Sequence, residues 1–355
     1  MNAAIGPRIV LHVGAPKTAS TYLQRRLRAN SKRLRELKIF VPVLPQVAAM
    51  AGNAKLLATA LGERPSLTFE RAFPEIDHQE LKPAALTEEL LRDWKRDSES
   101  VVLSAENFRP NHVARMRELL PSDVPVVVVL FVRRQDRWID SYFNQMIKTK
   151  EVECPISEFV AQLCDTEGER FCRPDWFGNY HAWKNAFGNC KVIFYDEVAS
   201  NVFSAFLNAA GFEPASDLID VERAQVSLNI FELAYLLEVT KPIAYEDFLR
   251  RRMASEKASL QLQVHETRSI LRNVDLDRLR KRFDESNRRL LAALGRDDST
   301  LLQLDANTNP DTYCNLEEFY PSARYVEFRK LANAVYARRS RRDRLRSFFK
   351  AARHK

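Results

Sequence analysis

A lysine and several hydroxyl side chains follow the first apolar run of the chain. The run from Arg8 to Val13 ends at Gly14, and the residues behind it include Lys17, Thr18, Ser20 and Thr21. Backbone N–H groups and the start of a following helix attract anions, the hydroxyls can donate to phosphate oxygens, and Lys17 adds a mobile positive charge. This pattern predicts a phosphate-binding loop. The alternative is that Thr18 or Ser20 only caps a helix and that Lys17 is solvated.

A second group with anion-binding chemistry lies more than a hundred residues further on. Arg133 ends the long β-branched run that begins at Val124, and Ser141 follows eight residues later. A guanidinium group can hold a phosphate through two N–H bonds, and a serine on the next helix can supply a third donor. The alternative is an exposed, basic start of a helix.

The loop lacks the pattern of a nucleotide kinase. A Walker A loop would read G-x-x-x-x-G-K-[ST], and the run from Val124 ends in Arg133 instead of an acidic residue that could hold magnesium. The sequence therefore disfavours a P-loop kinase, and with it the bound magnesium that such an enzyme would require; no metal ion is expected.

These groups need a scaffold that brings strand ends together. Four apolar runs predict strands, and segments with helical spacing separate them: Arg8–Val13, Val101–Ser104, Val124–Val132 and Lys191–Tyr195. This order predicts an α/β fold of the P-loop type, with a mostly parallel β-sheet flanked by helices and a helical C-terminal part. Ligands of such sheets bind beyond the carboxyl ends of the strands, which would bring Lys17, Glu106 and Arg133 to one crevice.

Both anion-binding segments resemble motifs of one enzyme family. Pro16–Thr21 resembles the 5′-phosphosulfate loop P-K-[ST]-G-[ST]-[ST] of the PAPS-dependent sulfotransferases (PAPS is 3′-phosphoadenosine 5′-phosphosulfate), with Ala19 where glycine is usual. Arg133 and Ser141 have the spacing of the family's 3′-phosphate motif. The order of aromatic residues from Asp175 to Phe212 resembles the bacterial carbohydrate sulfotransferase branch, so the resemblance covers about residues 8 to 295.

The resemblance implies a role for each site residue. PAPS would be the donor and 3′,5′-ADP the product, and Lys17 would donate to the bridging oxygen of the leaving group. Glu106 would be the general base, with His112 as the reserve candidate; alternatively, Glu106 is a cap or an ion-pair partner of Arg133 or Arg134. The implied cofactor-binding residues are Lys17, Thr18, Ala19, Ser20, Thr21, Tyr22, Arg133, Ser141 and Tyr195. Tyr22 and Tyr195 would stack on adenine, or else belong to the core.

The acceptor implied by this branch is a hydroxyl group of a carbohydrate or glycolipid. Two alternatives stay open besides the kinase, namely a nucleotide-binding protein without catalytic activity and a membrane-associated scaffold with the same fold. The sequence does not indicate an oligomeric state.

Composition and charge give the expected organisation of the chain. Its 355 residues predict one domain over residues 1–322, with the cofactor motifs in 8–212 and a mainly helical acceptor side in 213–322. The remaining 323–355 form a basic tail with twelve Lys or Arg and two acidic residues, so that the rest of the chain has a net charge of −2 against +8 for the whole. We expect contact of this tail with an anionic membrane surface, or else a solvated terminus, and no nucleic-acid partner.

Cysteine usage and hydropathy indicate the compartment. The five cysteines form no C-x-x-C pair, and no apolar run has the roughly 20 residues of a spanning helix. We expect reduced thiols and a cytoplasmic protein, with the tail as a peripheral contact to the inner membrane surface.

Overall fold

The fold is described from a computed structural model. It describes residues 6–44, 52–62, 70, 73–149, 151–165, 172–222, 228–238, 269–304 and 313–334. The chain divides into two compact units, where the sequence predicted one domain. The first unit comprises Met1–Ile139, Leu163–Val226 and Asp277–Leu304, and the second comprises Asp140–Gln162, Ser227–Leu276 and Asp305–Lys355.

The first unit contains a five-stranded sheet in which every pairing is parallel. The strands are β1 (Ile9–Gly14), β2 (Ile39–Phe40), β3 (Ser100–Ser104), β4 (Val126–Val132) and β5 (Cys190–Phe194), in the spatial order β2-β3-β1-β4-β5. The predicted α/β fold with a mostly parallel sheet is confirmed, and the four predicted strands correspond to β1, β3, β4 and β5. The two-residue β2 was not predicted, because so short a segment shows no periodicity.

The described part of the chain contains fourteen helices, which we number in chain order. They are α1 (Ser20–Ala29), α2 (Ser31–Glu36), α3 (Lys55–Leu61), α4 (Pro83–Leu91), α5 (Val113–Leu119), α6 (Gln135–Thr149), α7 (Ile156–Asp165), α8 (Trp176–Phe187), α9 (Tyr195–Val198), α10 (Val202–Ala209), α11 (Ile230–Glu238), α12 (Asn273–Ala293), α13 (Leu316–Phe319) and α14 (323–334). Short 3₁₀ turns lie at His78–Glu80, Pro110–His112 and Ser299–Leu302.

Both faces of the sheet in the first unit are covered. All six residues of β1 are buried, as are all five of β3, which explains their continuous apolar sequences. On one face, Leu23 and Leu27 of α1 and Phe203 and Phe206 of α10 pack into the same hydrophobic cluster as Val10 and Val129.

The carboxyl end of β1 lies at the topological switch point of the sheet. The chain passes from β1 to β2 and β3 on one side of β1 and then continues with β4 and β5 on the other side. Ligands of open α/β sheets bind at such a point, because loops that lead in opposite directions leave a crevice between them. In register, Gly14 of β1 pairs with Phe131 of β4, and His12 pairs with Ser104 of β3. The ends of the three central strands therefore lie side by side.

The second unit is helical over the residues that the structure describes. Phe231 of α11 packs against Phe319 and Phe328, and the hydroxyl of Tyr325 donates to Glu238. Tyr325 and Phe328 are buried and lie in α14, so residues 323–334, which the sequence assigned to the basic tail, form a packed helix. Residues 335–355 lie outside the described part of the chain. Among the residues that are described, no helix is both long and apolar enough to cross a membrane.

Candidate functional site

The loop between β1 and α1 has the backbone conformation of an anion cradle. Lys17 has φ 70°, and Ala19, the N-cap of α1, has φ 63° and ψ 21°. An alternation of left-handed and right-handed residues turns successive N–H groups toward one side of the chain. Ala19 supplies no side-chain cap, and the first turn of α1 has no acidic residue. The N–H groups at this end of α1 therefore have no carboxylate from that turn to compete with an anion.

The hydroxyl of Ser20 is buried and finds no partner among the described residues. Only 2% of this residue is exposed, and its Oγ atom forms no hydrogen bond with any residue in the described ranges. A buried hydroxyl without a partner is costly, and it is satisfied when a ligand oxygen accepts from it. Thr18, by contrast, is 1% exposed and donates to the carbonyl of Ala15 at 2.9 Å. Its hydroxyl therefore stabilises the loop, where the sequence predicted a donor to phosphate, while Lys17 and Thr21 are half-buried.

The side chain of Arg133 joins the end of β4 to the loop. Its Nη1 atom donates to the carbonyl of Lys17 at 3.3 Å, and its guanidinium group lies 5.1 Å from the ring centroid of Tyr195. Its Nε atom lies 3.7 Å from a carboxylate oxygen of Asp196. The structure therefore brings together Lys17, Arg133 and Tyr195, of which the strand-end rule predicted Lys17 and Arg133 in one crevice, along with Glu106.

Asp196 is a site residue that the sequence reasoning missed. Its carboxylate pairs with Arg137 at 3.1 Å as well as with Arg133, and it accepts from the backbone N–H of Arg134 at 3.2 Å. These contacts hold the Arg133 side chain in one orientation. Its position two residues after Phe194, the last residue of β5, was a signal that could have identified it, because polar residues at strand ends face the crevice.

Glu106 lies two residues after β3 and pairs with Lys55. The Lys55 Nζ and Glu106 Oε1 atoms are 3.8 Å apart, and 25% of the Glu106 side chain is exposed. Glu106 therefore forms an ion pair, as one of the alternatives predicted, but its partner is Lys55 instead of Arg133 or Arg134. The segment before Lys55 is anchored to β3, because Asn53 Oδ1 accepts from the N–H of Ser104 at 2.7 Å.

His112, the reserve base, occupies a buried turn. It is 3% exposed, and its Nδ1 atom accepts from the N–H of Arg109 at 3.4 Å. Burial, together with the positive charge of Arg109, lowers the pKa of His112 to about 4. His12 is fully buried in β1, with its Nδ1 atom 2.7 Å from Ser104 Oγ, and burial lowers its pKa to about 3. Both histidines are therefore neutral near pH 7.

Tyr22 and Ser141 are two further residues that the sequence predicted for the cofactor site. Tyr22 is 9% exposed within the hydrophobic cluster, and its hydroxyl donates to Asp220 at 2.6 Å, which agrees with the alternative that placed it in the core. Ser141 is half-buried on α6 and belongs to the second unit, so its role at a 3′-phosphate stays a prediction. Within the described ranges, no group of three or more His, Cys, Asp or Glu residues could hold a metal ion.

The conformation of Ala19 gives a first testable prediction. A non-glycine residue in the left-handed region costs about 1–2 kcal/mol, while the partly buried methyl group contributes at most about 0.8 kcal/mol of burial. We expect Ala19→Gly to raise the free energy of unfolding by about 0.5–1 kcal/mol, measured by urea denaturation. The control is Ala292→Gly on the exposed face of α12, which should lower it by about 1 kcal/mol. Destabilisation by both substitutions would contradict the strained conformation of Ala19.

Comparisons with known proteins give matches at the level of structure. No protein-family model and no curated protein matches the chain. A sulfotransferase from Alicyclobacillus acidocaldarius superposes with a TM-score of 0.47 and 14% identity, over 84% of this chain and 100% of that one.

Two further solved structures superpose less closely. The sulfotransferase domain of the Synechococcus PCC 7002 olefin synthase has a TM-score of 0.34 and 10% identity, over 73% of this chain and 98% of that one. A retinol dehydratase in complex with androsterone and the inactive cofactor PAP has a TM-score of 0.33 and 13% identity, over 75% and 84%.

Proposed function

We propose that the protein transfers a sulfuryl group from PAPS to a hydroxyl group of an acceptor. The observation that carries the proposal is the hydrogen bond from Arg133 to the carbonyl of Lys17, because it places the two predicted phosphate-binding motifs side by side. A nucleotide with both a 3′-phosphate and a 5′-phosphosulfate needs two separate anion-binding groups. A single phosphate loop would serve many other ligands equally well.

The residues of the loop fit the 5′ group of such a donor. The hydroxyl of Ser20, which has no hydrogen-bond partner among the described residues, and the N–H groups at the start of α1 are donors, and the first turn of this helix has no acidic residue. Thr18 holds the carbonyl of Ala15 and Arg133 holds the carbonyl of Lys17 itself, so the charged side chain of Lys17 extends from a fixed backbone. These groups suit a multiply charged phosphate.

PAPS supplies a sulfuryl group attached to a phosphate leaving group, and its transfer needs charge neutralisation and alignment more than covalent help. Lys17 stabilises the negative charge that develops on the leaving oxygen. Glu106, an acceptor of hydrogen bonds when ionised, takes the proton of the attacking hydroxyl. Arg133 holds the 3′-phosphate with the face of Tyr195 beside it, and Ser141 is proposed as a further donor from its spacing alone.

The acceptor that we propose is a carbohydrate or a glycolipid. This part of the proposal rests on the sequence resemblance to the bacterial carbohydrate branch, since a fold does not select a substrate. The mainly helical part after residue 213 is proposed as the acceptor side, and 239–268 within it lie outside the described residues.

Binding and transfer assays test the proposal together. We expect 3′,5′-ADP to raise the melting temperature of the protein and ³⁵S-labelled PAPS to transfer label to a component of an extracted glycan mixture. Stabilisation by 3′,5′-ADP without transfer would favour the nucleotide-binding protein that lacks catalytic activity. A response to ATP with magnesium, and none to 3′,5′-ADP, would favour the kinase.

Arg133 allows a sharper test of the 3′-phosphate site. Lysine keeps the charge but loses the planar fork, so we expect Arg133→Lys to weaken the binding of 3′,5′-ADP about tenfold. The binding of 5′-AMP, which lacks the 3′-phosphate, should weaken much less in calorimetric titrations, because Arg133 acts on the 5′ site only through the carbonyl of Lys17. Arg137→Lys is the matched control, because Arg137 contacts the same carboxylate of Asp196 but is 51% exposed. Equal losses for the two variants would refute the role of Arg133.

A further inference from the structure

Three consecutive carbonyl groups of the loop after β1 accept hydrogen bonds from side chains. The carbonyl of Ala15 accepts from Thr18 Oγ1 at 2.9 Å, that of Pro16 from Trp138 Nε1 at 2.7 Å, and that of Lys17 from Arg133 Nη1 at 3.3 Å. Thr18 belongs to the loop itself, and Arg133 already has a proposed role. Trp138, from the first turn of α6, has no role in the proposed reaction.

The carbonyl bonds determine where the loop N–H groups point. In a planar trans peptide the carbonyl and the N–H of the next residue point in opposite directions. When Trp138 holds the carbonyl of Pro16, the N–H of Lys17 is directed away from Trp138. Arg133 directs the N–H of Thr18 in the same manner. Carbonyl oxygens that faced an anion would repel it, so these bonds also remove two acceptors from the anion's side of the loop.

The backbone of the loop needs such support. Lys17 and Ala19 both have positive φ angles, which L-residues rarely adopt unless the surrounding structure enforces them. Trp138 is fully buried, and its ring lies edge-on to that of Trp176 with centroids 5.7 Å apart. Trp176 is equally buried, and its Nε1 atom donates to the carbonyl of Arg133 at 2.8 Å. The indole of Trp138 therefore holds Pro16 in the loop after β1, and the indole of Trp176 holds Arg133, the residue after β4.

We infer that Trp138 is a positioning residue of the anion site, which aligns the loop N–H groups for the 5′-phosphate group of the nucleotide. The inference rests on the proposed function, because it takes a nucleotide 5′-phosphate as the anion. It adds a residue that touches neither donor nor acceptor and acts only through the backbone of Pro16 and Lys17.

The experiment compares two nucleotides and two tryptophan variants. Trp138→Phe keeps an aromatic ring in the core but removes the N–H donor. Its matched control is Trp94→Phe, because Trp94 is also buried and its Nε1 atom donates at 2.7 Å to a backbone carbonyl, that of Glu99. Calorimetric titration gives the dissociation constants for 3′,5′-ADP and for 3′-AMP, which lacks the 5′-phosphate. Urea denaturation gives the stability of each variant.

We expect Trp138→Phe to weaken the binding of 3′,5′-ADP at least tenfold while the binding of 3′-AMP stays within twofold of the wild type. Trp94→Phe should leave both constants unchanged, even if it lowers the stability by a similar amount. A general loss of structure would weaken both nucleotides, and that result would overturn the inference.

The outcomes separate this inference from the proposed function. If the wild type prefers 3′,5′-ADP to 3′-AMP and Trp138→Phe keeps the same preference, only the role of Trp138 is refuted. If the wild type binds neither nucleotide, or both equally, the 5′-phosphate site itself is refuted and both proposals are overturned.

Discussion

Replacement of Lys17 by alanine should lower kcat for sulfuryl transfer about 10³-fold, because a preorganised positive charge at the leaving oxygen contributes a rate factor of that order. The loop N–H groups and the Ser20 hydroxyl would remain, so the dissociation constant for 3′,5′-ADP should rise less than tenfold. Radiolabelled transfer at saturating PAPS gives the rate, and calorimetry gives the affinity. A large loss of rate with a small loss of affinity is the signature of a group that acts mainly in the transition state.

Lys38 provides a matched control for this substitution. It is also a lysine with positive φ, at 65°, but it is exposed and directly precedes β2. Lys38→Ala therefore removes the same side chain from the same backbone conformation, away from the carboxyl end of β1. Activity of the Lys17→Ala variant within threefold of the Lys38→Ala variant would exclude Lys17 from the chemical step.

The sheet could be predicted from the sequence because its strands are buried on both faces. Such strands appear as continuous runs of apolar residues, and β1, β3, β4 and β5 were each visible in this way. The strand-end rule then brought Lys17 and Arg133 together, and the structure gives their contact at 3.3 Å.

The details of the loop could not be predicted, because they depend on contacts between distant residues. Pro16 lies 122 residues from Trp138, whose indole bonds its carbonyl, and a spacing pattern does not contain that pairing. The left-handed conformation of Lys17 is equally invisible, since lysine has no preference for it. The conformation of Ala19 could be predicted in part. The family resemblance marked this position as one where glycine is usual, and the φ of 63° gives the physical reason.

The division into two units could not be predicted from the sequence either. The units alternate along the chain, and α6 and α12 each run from one unit into the other. An amphipathic helix has the same periodicity whether it packs within one unit or continues into a second. The predicted limit at 212 marked the end of the region with the cofactor motifs and the limit at 322 the start of the basic charge, whereas the units follow contacts between segments far apart in sequence.

Replacement of Glu106 by glutamine should lower kcat about 10²–10³-fold, because glutamine fills the same space but cannot accept the proton of the acceptor hydroxyl. The affinity for 3′,5′-ADP should not change. The stability should change little as well, because the pair with Lys55 is partly exposed and such pairs contribute at most about 1 kcal/mol. The measurements are labelled transfer, nucleotide titration and urea denaturation, as for Lys17.

His112→Asn decides between the two candidate bases. Asparagine can keep the hydrogen bond that His112 Nδ1 accepts from the N–H of Arg109, so the turn should retain its shape. Burial and the charge of Arg109 lower the pKa of His112 to about 4, so its imidazole is unprotonated near pH 7 and could accept a proton there. We expect His112→Asn to retain at least a third of the wild-type rate. Loss of activity in His112→Asn with an active Glu106→Gln variant would transfer the role of base to the histidine, whose burial would then require the acceptor to enter the turn at Pro110–His112.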